Sequence, residues 1–270
     1  MLRARVTISL PAYDIVWESE NLQDKHPTLS IPSYGETYQD RLDVQRRAWQ
    51  ELEGLGLARN GKAHPDLVDT FHMLERPQRE FYGWFSAPNG EGQRAALSAA
   101  SGDDAVLAEI IDEKLVLTPL RPTGLIDALV SVLPDKPAAR GQSFNFPADS
   151  IGDGGGGGRS GGRHSRPEDD DGGGFMTSSR GSGGPSPQRL KEIMDKPRTG
   201  GGQLFVAARD RLGSRKRAES PLTFIDNTDG RYLGQKMRGP DGSQWVIVAP
   251  ADKRTLAQKL SEMAASVSGR

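Results

Sequence analysis

Val116-Leu117-Thr118-Pro119 and Val246-Ile247-Val248-Ala249-Pro250 are the two stretches whose reading decides the fold. Each apolar run closes on a proline and feeds a helical pattern. Leu125, Leu129 and Leu133 follow the first run; Leu256, Leu260 and Ala264 follow the second. The two series align at a constant offset of 131. Upstream of each run lie β-rich hairpins. Upstream of those stands a helix that ends in a basic residue and a proline, Arg76-Pro77 and Lys196-Pro197. Two copies of one helix–sheet–helix unit predict an α+β fold in two pseudo-twofold related halves, 1–151 and 185–270, joined by a linker and forming one body.

The linker is legible as composition. Residues 152–184 hold glycine at 14 of 33 positions, with Ser, Asp and Arg between. Such a segment cannot bury enough apolar area to offset its ordering entropy, so it is expected to be disordered, with a coil span of roughly 30 Å. Lys+Arg number 35 against Asp+Glu 36, a net charge of −1, so no bulk field favours nucleic acid or an anionic membrane. There are no cysteines, which excludes disulfides, iron–sulfur clusters and Cys-ligated zinc. Mean hydropathy is −0.59. No stretch reaches the ~18 apolar residues of a membrane helix, and the N-terminal residues lack the apolar run of a signal peptide. The expectation is a soluble, unexported protein.

Along the chain, alternation at Val6, Ile8 and Leu10 predicts a strand over 4–10. Pro11 opens a short helix with Tyr13, Val16 and Trp17 inward. A helix is expected over 36–56 with Tyr38, Leu42, Trp49 and Leu52 on its stripe, and another from Pro65 with Leu67, Phe71 and Leu74. Phe81-Tyr82-Gly83-Trp84-Phe85 is apolar on both faces, hence a central strand. Asn89-Gly90 marks a turn, strands follow at 93–100, 104–111 and 114–119, a helix at 122–133, and a short strand at 143–147. The second half reads as a helix at 186–195, strands at 203–210, 216–225, 230–237 and 243–249, and a helix at 251–267.

Motifs of chemistry fail on context. Gly158-Arg159-Ser160-Gly161-Gly162 fits a nucleophile elbow, but that device needs a strained strand-to-helix turn, and Ser160 lies in a glycine tract. Gly156, Gly158 and Gly161 spell a dinucleotide fingerprint without its strand and helix. Arg159, Arg163, Arg166 and Arg180 resemble an RNA-binding Arg-Gly segment, yet Glu168-Asp169-Asp170-Asp171 largely cancels their charge and only Phe175 could stack. His26, His64, His72 and His164 show no helical metal-pair spacing. Asp226 and Asp229 flank a turn and are expected to bond its backbone. No catalytic residue, cofactor or metal is assigned. A hydrolase using Ser160 or an acidic pair, and a nucleic-acid binder using the Arg-Gly tract, stand as the alternatives to a binding protein.

The second half contains Pro197-Arg198-Thr199-Gly200-Gly201-Gly202-Gln203, then Val206-Ala207-Ala208-Arg209-Asp210, Asp229-Gly230-Arg231-Tyr232-Leu233, and Trp245-Val246-Ile247-Val248-Ala249-Pro250-Ala251-Asp252. The first half adds Leu10 to Trp17, Ile31-Pro32-Ser33-x-Gly35 and Leu133-Pro134. This ordered series resembles the EspG family, secretion-associated proteins of the actinobacterial ESX (type VII) system. The likeness covers nearly all of the chain outside 152–184. It implies a cytosolic chaperone with a central antiparallel sheet and flanking helices. It also implies a non-enzymatic role without nucleotide or metal. The cargo would be a secreted PE–PPE-type helical heterodimer, bound at the apolar tip of its PPE subunit, kept soluble and directed to the secretion machinery.

A chaperone needs an apolar surface that tolerates water when empty, and buried aromatics usually carry such interfaces. Phe205, Phe224, Tyr232, Trp245 and Ile247 are strand residues of the right type. Each could equally be core, because alternation puts half of every strand on either face. Arg209-Asp210-Arg211 and Arg215-Lys216-Arg217 form a basic hairpin tip, which adds Arg211 and Lys216 as candidate contacts for an acidic partner.

Overall fold

Local chemistry sets the helix starts in the computed structural model, which describes residues 1–87, 92–150, 185–239 and 241–267. The expectations placed on Asn89-Gly90, on Ser160 and on 152–184 lie outside the described residues. Helix α1 (Leu10–Ser19) follows strand β1 (Val6–Ser9) directly: the Ser9 hydroxyl accepts from the Ala12 N–H and Pro11 sits in the first turn. Helix α2 (Tyr38–Gly54) opens on a capping box, with Thr37 and Asp40 satisfying each other's backbone N–H. Helix α3 (Pro65–Glu75) is capped by His64, whose Nδ1 accepts from Asp66 N–H at 3.1 Å.

The chain divides into two compact units that are interleaved along the sequence. Unit 1 holds Met1–Asp135, Gly202–Ala218 and Lys253–Arg270. Its strands are β1, β4 (Arg79–Ser86), β5 (Gln93–Ser101), β6 (Asp104–Ile111), β7 (Lys114–Leu120) and the greater part of β9 (Arg198–Arg209). They pair antiparallel in the order β1-β7-β6-β5-β4-β9, and β10 (Arg215–Arg217) adds to β9. The run at 81–85 is central as expected: Phe81, Tyr82 and Phe85 are buried and β4 has a neighbour on each side. Gly83 is required there, since a Cβ would strike the Gln203 carbonyl of β9. The β6–β7 turn uses Asp112 and Glu113, both at positive φ (48° and 58°), the twist that matches a two-residue hairpin.

One face of this sheet packs α1 and α3. Tyr13, Trp17 and Phe71 meet with ring centroids 5.4–5.7 Å apart above Leu97, Leu115 and Leu117. Leu67, Phe71 and Leu74 form the expected α3 stripe. Helix α2 departs from its expected stripe. Ala48 and Leu52 are its buried residues, while Tyr38 in the first turn is exposed. Buried Asp14 ties this layer to the following loop. It accepts from Lys25, Arg41, Ser33 and the Tyr34 N–H. The other face carries α4 (Leu125–Ser131), which lies on β4, β5 and β6 and against α6 (Lys253–Val267). Leu256 and Leu260 of α6 are buried as expected, Met263 is buried with them, and Ala264 is half-buried.

Unit 2 holds Lys136–Gly201 and Glu219–Asp252. Its antiparallel meander runs β11 (Leu222–Asn227), β12 (Gly230–Arg238), β13 (Gln244–Pro250) and β8 (Phe144–Pro147). Helix α5 (Pro185–Met194) packs Leu190 and Ile193 with Phe146, Val246 and Val248. The expected strand 216–225 is two strands, β10 and β11, because Ser220-Pro221 interrupts the ladder; proline has no N–H to donate. A small hairpin, β2 (Ala58–Arg59) and β3 (Lys62–Ala63), turns at Asn60-Gly61 and was not anticipated. The element order α3-β4-β5-β6-β7-α4 is followed by α5-β9-β10-β11-β12-β13-α6, strand for strand apart from that break.

Asp226 and Asp229 do not serve the turn as expected. Asp226 takes a bidentate grip from Arg231, Nε to Oδ1 at 2.7 Å and Nη2 to Oδ2 at 2.8 Å, with both side chains buried. Asp229 pairs with Lys196, and the turn's side-chain acceptor is Asn227, whose Oδ1 receives the Asp229 N–H. The Arg231 guanidinium lies 4.5 Å from the Phe224 ring centroid. Replacing Asp226 with alanine strands a buried cation and is expected to cost about 3–5 kcal/mol in urea unfolding. The double variant Asp226→Leu/Arg231→Met is expected to recover most of that loss; equal damage from the double would mean the charge itself is not what Asp226 answers.

Candidate functional site

Alternation along β13 separates the candidates of unit 2. Trp245, Ile247 and Ala249 share one face, and their cross-strand partners Met237, Gln235 and Leu233 extend it. Phe224, opposite Leu233, belongs to the same face. At one end this face is closed: Phe224 and Leu233 are buried. At the other it is open: Trp245 and Ile247 are half-buried and Met237 is 44 % exposed. The Trp245 indole donates to Ser243 Oγ at 2.8 Å, and Ser243 donates to Asp241 Oδ1 at 2.6 Å. The ring is therefore fixed and its polar atom satisfied while its apolar body stays accessible. Tyr232 lies on the opposite face with Val246 and Val248, its hydroxyl donating to the Arg140 carbonyl at 3.4 Å. Trp245 and Ile247 thus come together, Phe224 lies beneath the closed end, and Tyr232 sits in the core.

Unit 1 gathers the other three candidates around β9 and β10. Phe205 is buried and stacks on Tyr82, centroids 5.2 Å apart at 11°. Half-buried Trp84 stands edge-on to both rings at 5.9 and 5.7 Å. Arg215 lies over Tyr82 at 5.8 Å and Arg217 over Phe205 at 5.7 Å, so β10 roofs the aromatic pair with two guanidinium groups. Lys216, between them on the strand, points the other way and reaches the Ser266 carbonyl at 3.5 Å. Arg211 stands exposed in the turn between β9 and β10.

Beneath the roof lies a charged group that the sequence reading did not single out. Glu80, 2 % exposed, receives the Arg215 Nε–H and faces His26 Nε2 at 3.4 Å. His26 Nδ1 accepts from the Thr28 N–H and contacts its hydroxyl at 2.7 Å. Burial alone would raise the Glu80 pKa; His26 facing it and the charge of Arg215 outweigh it and hold the carboxyl below its ordinary range. No sequence signal marked Glu80, because its partners lie 54 and 135 positions away, by 80 − 26 and 215 − 80. Trp84 and Met237 were also missed as surface residues; the doubly apolar run at 81–85 and the alternation of β12 were the signals that could have found them.

Among the described residues no group of three or more His, Cys, Asp or Glu is arranged to hold a metal ion, and no helix is long and apolar enough to cross a membrane. The hydrolase and Arg-Gly readings gain no support: Ser160 and the Arg-Gly tract lie outside the described part, and the buried carboxylates Asp14, Glu80, Glu109 and Asp226 are each paired with a basic side chain.

A family model described as the EspG family matches residues 9–262. No curated protein sequence matches the chain. Among solved structures, the Mycobacterium tuberculosis type VII secretion system chaperone EspG5, in complex with a PE25–PPE41 dimer, is similar with a TM-score of 0.63 and 12 % identity. The likeness covers 98 % of this chain and 96 % of that one. At that identity it is a likeness of fold.

The lowered Glu80 pKa sets a direction for pH. Its contribution to stability is fully present above about pH 4.5, the ordinary glutamate value, and is lost as pH falls through the lower folded-state value. Glu80→Gln is expected to lower the thermal midpoint at pH 7 by a few degrees, about 1–2 kcal/mol, and to flatten the loss of stability below pH 4.5. A variant whose midpoint follows the parent's curve from neutral to acid pH would refute the role given to Glu80.

Proposed function

This chain belongs to the EspG family, and on that premise we propose that it is a chaperone of a type VII secretion system. Its cargo is a PE–PPE-type secreted heterodimer, held by its apolar tip in the cytoplasm, kept soluble and passed to the secretion machinery. The observation that carries this reading is the family match across residues 9–262. The fold likeness to a chaperone solved with a PE25–PPE41 dimer points the same way. The work is done by shape and apolar contact, with no bond made or broken.

The candidate residues divide by what each can offer. Trp245 and Ile247, with Met237 beside them, present apolar area to a partner. Phe224 and Tyr232 hold the strands beneath and behind that face. Phe205 holds the stack on which β10 rests, and Arg211 and Lys216 supply charge at the hairpin. The halves 1–151 and 185–270 are read as diverged copies of one unit; the repeated element order supports this.

Co-expression with a PE–PPE-type pair from the same genome is expected to give a stoichiometric complex on size exclusion. Separate elution at micromolar concentration would overturn the reading. Trp245→Ser combined with Ile247→Ser is expected to weaken the complex at least about tenfold in titration calorimetry, the scale of a lost interface anchor. Unchanged affinity would move the contact elsewhere while leaving the chaperone reading in place.

A further inference from the structure

The turn between β9 and β10 displays the most exposed large apolar side chain among the described residues. Leu212 is 94 % exposed, ahead of Tyr38, Leu55 and Met237. Its backbone is pinned. Asp210 Oδ1 accepts from the N–H groups of Leu212 and Ser214, each at 2.9 Å. Asp210 N–H donates to the Ser214 carbonyl and Gly213 N–H to the Asp210 carbonyl, both at 3.0 Å. Arg209 Nη1 donates to the Gly213 carbonyl at 3.2 Å, and Gly213 takes the positive φ (81°) that closes the loop.

Cations surround this knob. Arg76, Arg79, Arg211, Lys216 and Arg217 are all exposed. Arg79 pairs in register with Ala208, and a Cβ on Gly213 would lie 3.5 Å from Arg76 Nη2, so both belong to the hairpin's surroundings. None of these five lies within 4 Å of a carboxylate among the described residues. Carboxylates close in sequence are committed elsewhere: Asp210 to the turn, Glu80 to Arg215 and His26, Glu75 to the Gln23 N–H and Glu219 to Arg238. In a chain with balanced charges, three cations on the hairpin and two beside it, none of them paired with a carboxylate among the described residues, are a local excess whose repulsion a partner's carboxylates would relieve.

We propose that the β9–β10 hairpin is a preformed recognition knob: Leu212 enters an apolar socket on an acidic helical protein surface, and the arginines around it pair with carboxylates at the socket's rim. The fixed turn means little conformational entropy is lost on docking. A nucleic acid fits worse. The apex is aliphatic, and the nearby rings Tyr82 and Phe205 are buried beneath Arg215 and Arg217, so of this aromatic cluster only half-buried Trp84 is partly open to stacking. The inference goes beyond the cargo reading, and a peptide probe tests it whatever heterodimer the chain carries.

The probe is a fluorescein-labelled amphipathic helical peptide of about 20 residues, leucine along one face and glutamate elsewhere, with a leucine–lysine peptide as its counterpart. Anisotropy with the full chain is expected to show saturable binding of the Leu/Glu peptide, about tenfold weaker when salt rises from low to several times physiological strength. Leu212→Ser is expected to weaken it about tenfold and Arg211→Glu combined with Arg217→Glu to abolish it. Leu212 and Arg211 are exposed in the turn, and circular dichroism checks that the fold survives the loss of Arg217 from above Phe205. The proposal is overturned by no binding of the Leu/Glu peptide, by equal binding of the leucine–lysine peptide, or by a Leu212→Ser variant that binds as the parent does. Binding of a single-stranded oligonucleotide that needs the arginines and ignores Leu212 would assign the hairpin to nucleic acid instead.

Discussion

The buried Arg231–Asp226 pair is the interaction on which unit 2 depends. A guanidinium with no exposed side-chain surface needs a partner of matching shape, and Asp226 supplies both oxygens. The backbone of the same residue is equally occupied. Arg231 N–H donates to the Pro137 carbonyl, and its own carbonyl accepts from Ala139 and Ala251. One residue thereby joins β11, β12, the segment entering β8 and the end of β13. Gly230 just before it must be glycine, because a Cβ would press against the Ala139 backbone and the Pro137 carbonyl at 2.7–2.8 Å. The short Asp-Gly-Arg-Tyr run, weak as a signature by itself, is thus a geometric requirement: the turn, the close approach and the buried cation follow one another without a spare position.

That anchor sets which side of the meander can meet a partner. With Arg231 and Phe224 on one face at the closed end, alternation carries Trp245 and Ile247 to the same face at the open end. Tyr232, one residue from Arg231, is sent to the other face and into the α5 core. A one-residue slip between β12 and β13 would exchange the two sets. The bidentate pair fixes the register of β11 against β12, and the Arg231 carbonyl, by accepting from the Ala251 N–H, ties β12 to the end of β13 and resists that slip.

Much of this was legible beforehand. Helical spacing identified the buried stripes of α3 and α6, and the doubly apolar run identified β4 as central. The order of elements in the two halves could be read from two short runs and two basic–proline stops. What escaped reading shares a physical character. Periodicity reports which residues are apolar, and says nothing of which side of a sheet the rest of the chain will cover; Trp245 and Tyr232 looked alike for that reason. Nor does it report polar pairing across a turn: Asp226 carried a turn-like signal, yet the partner that uses it sits five residues on. Glu80, His26 and Arg215 meet only because β9 returns beside β4, so their association has no local trace. The break in 216–225 was visible in principle, since Pro221 stands inside the run, but the charges before it looked like ordinary strand edge.

A surface that is to hold an apolar partner faces two demands that pull apart: it must be apolar enough to bind, and ordered enough not to collapse when empty. Unit 2 meets them by satisfying the polar atom of Trp245 within its own turn, so the ring can stay open to water without an unpaired donor and without searching rotamers. Unit 1 does it differently. There the aromatic pair Tyr82–Phe205 is roofed by Arg215 and Arg217, which cover apolar area with their stems and faces while their charge stays hydrated. Glu80 makes that roof stable, because a buried carboxylate gives Arg215 a single preferred position. Order in both places comes from hydrogen bonds and charge made inside the chain; in unit 2 this leaves the apolar body of Trp245 uncommitted, and uncommitted apolar area held in one conformation is what binding a sticky partner requires.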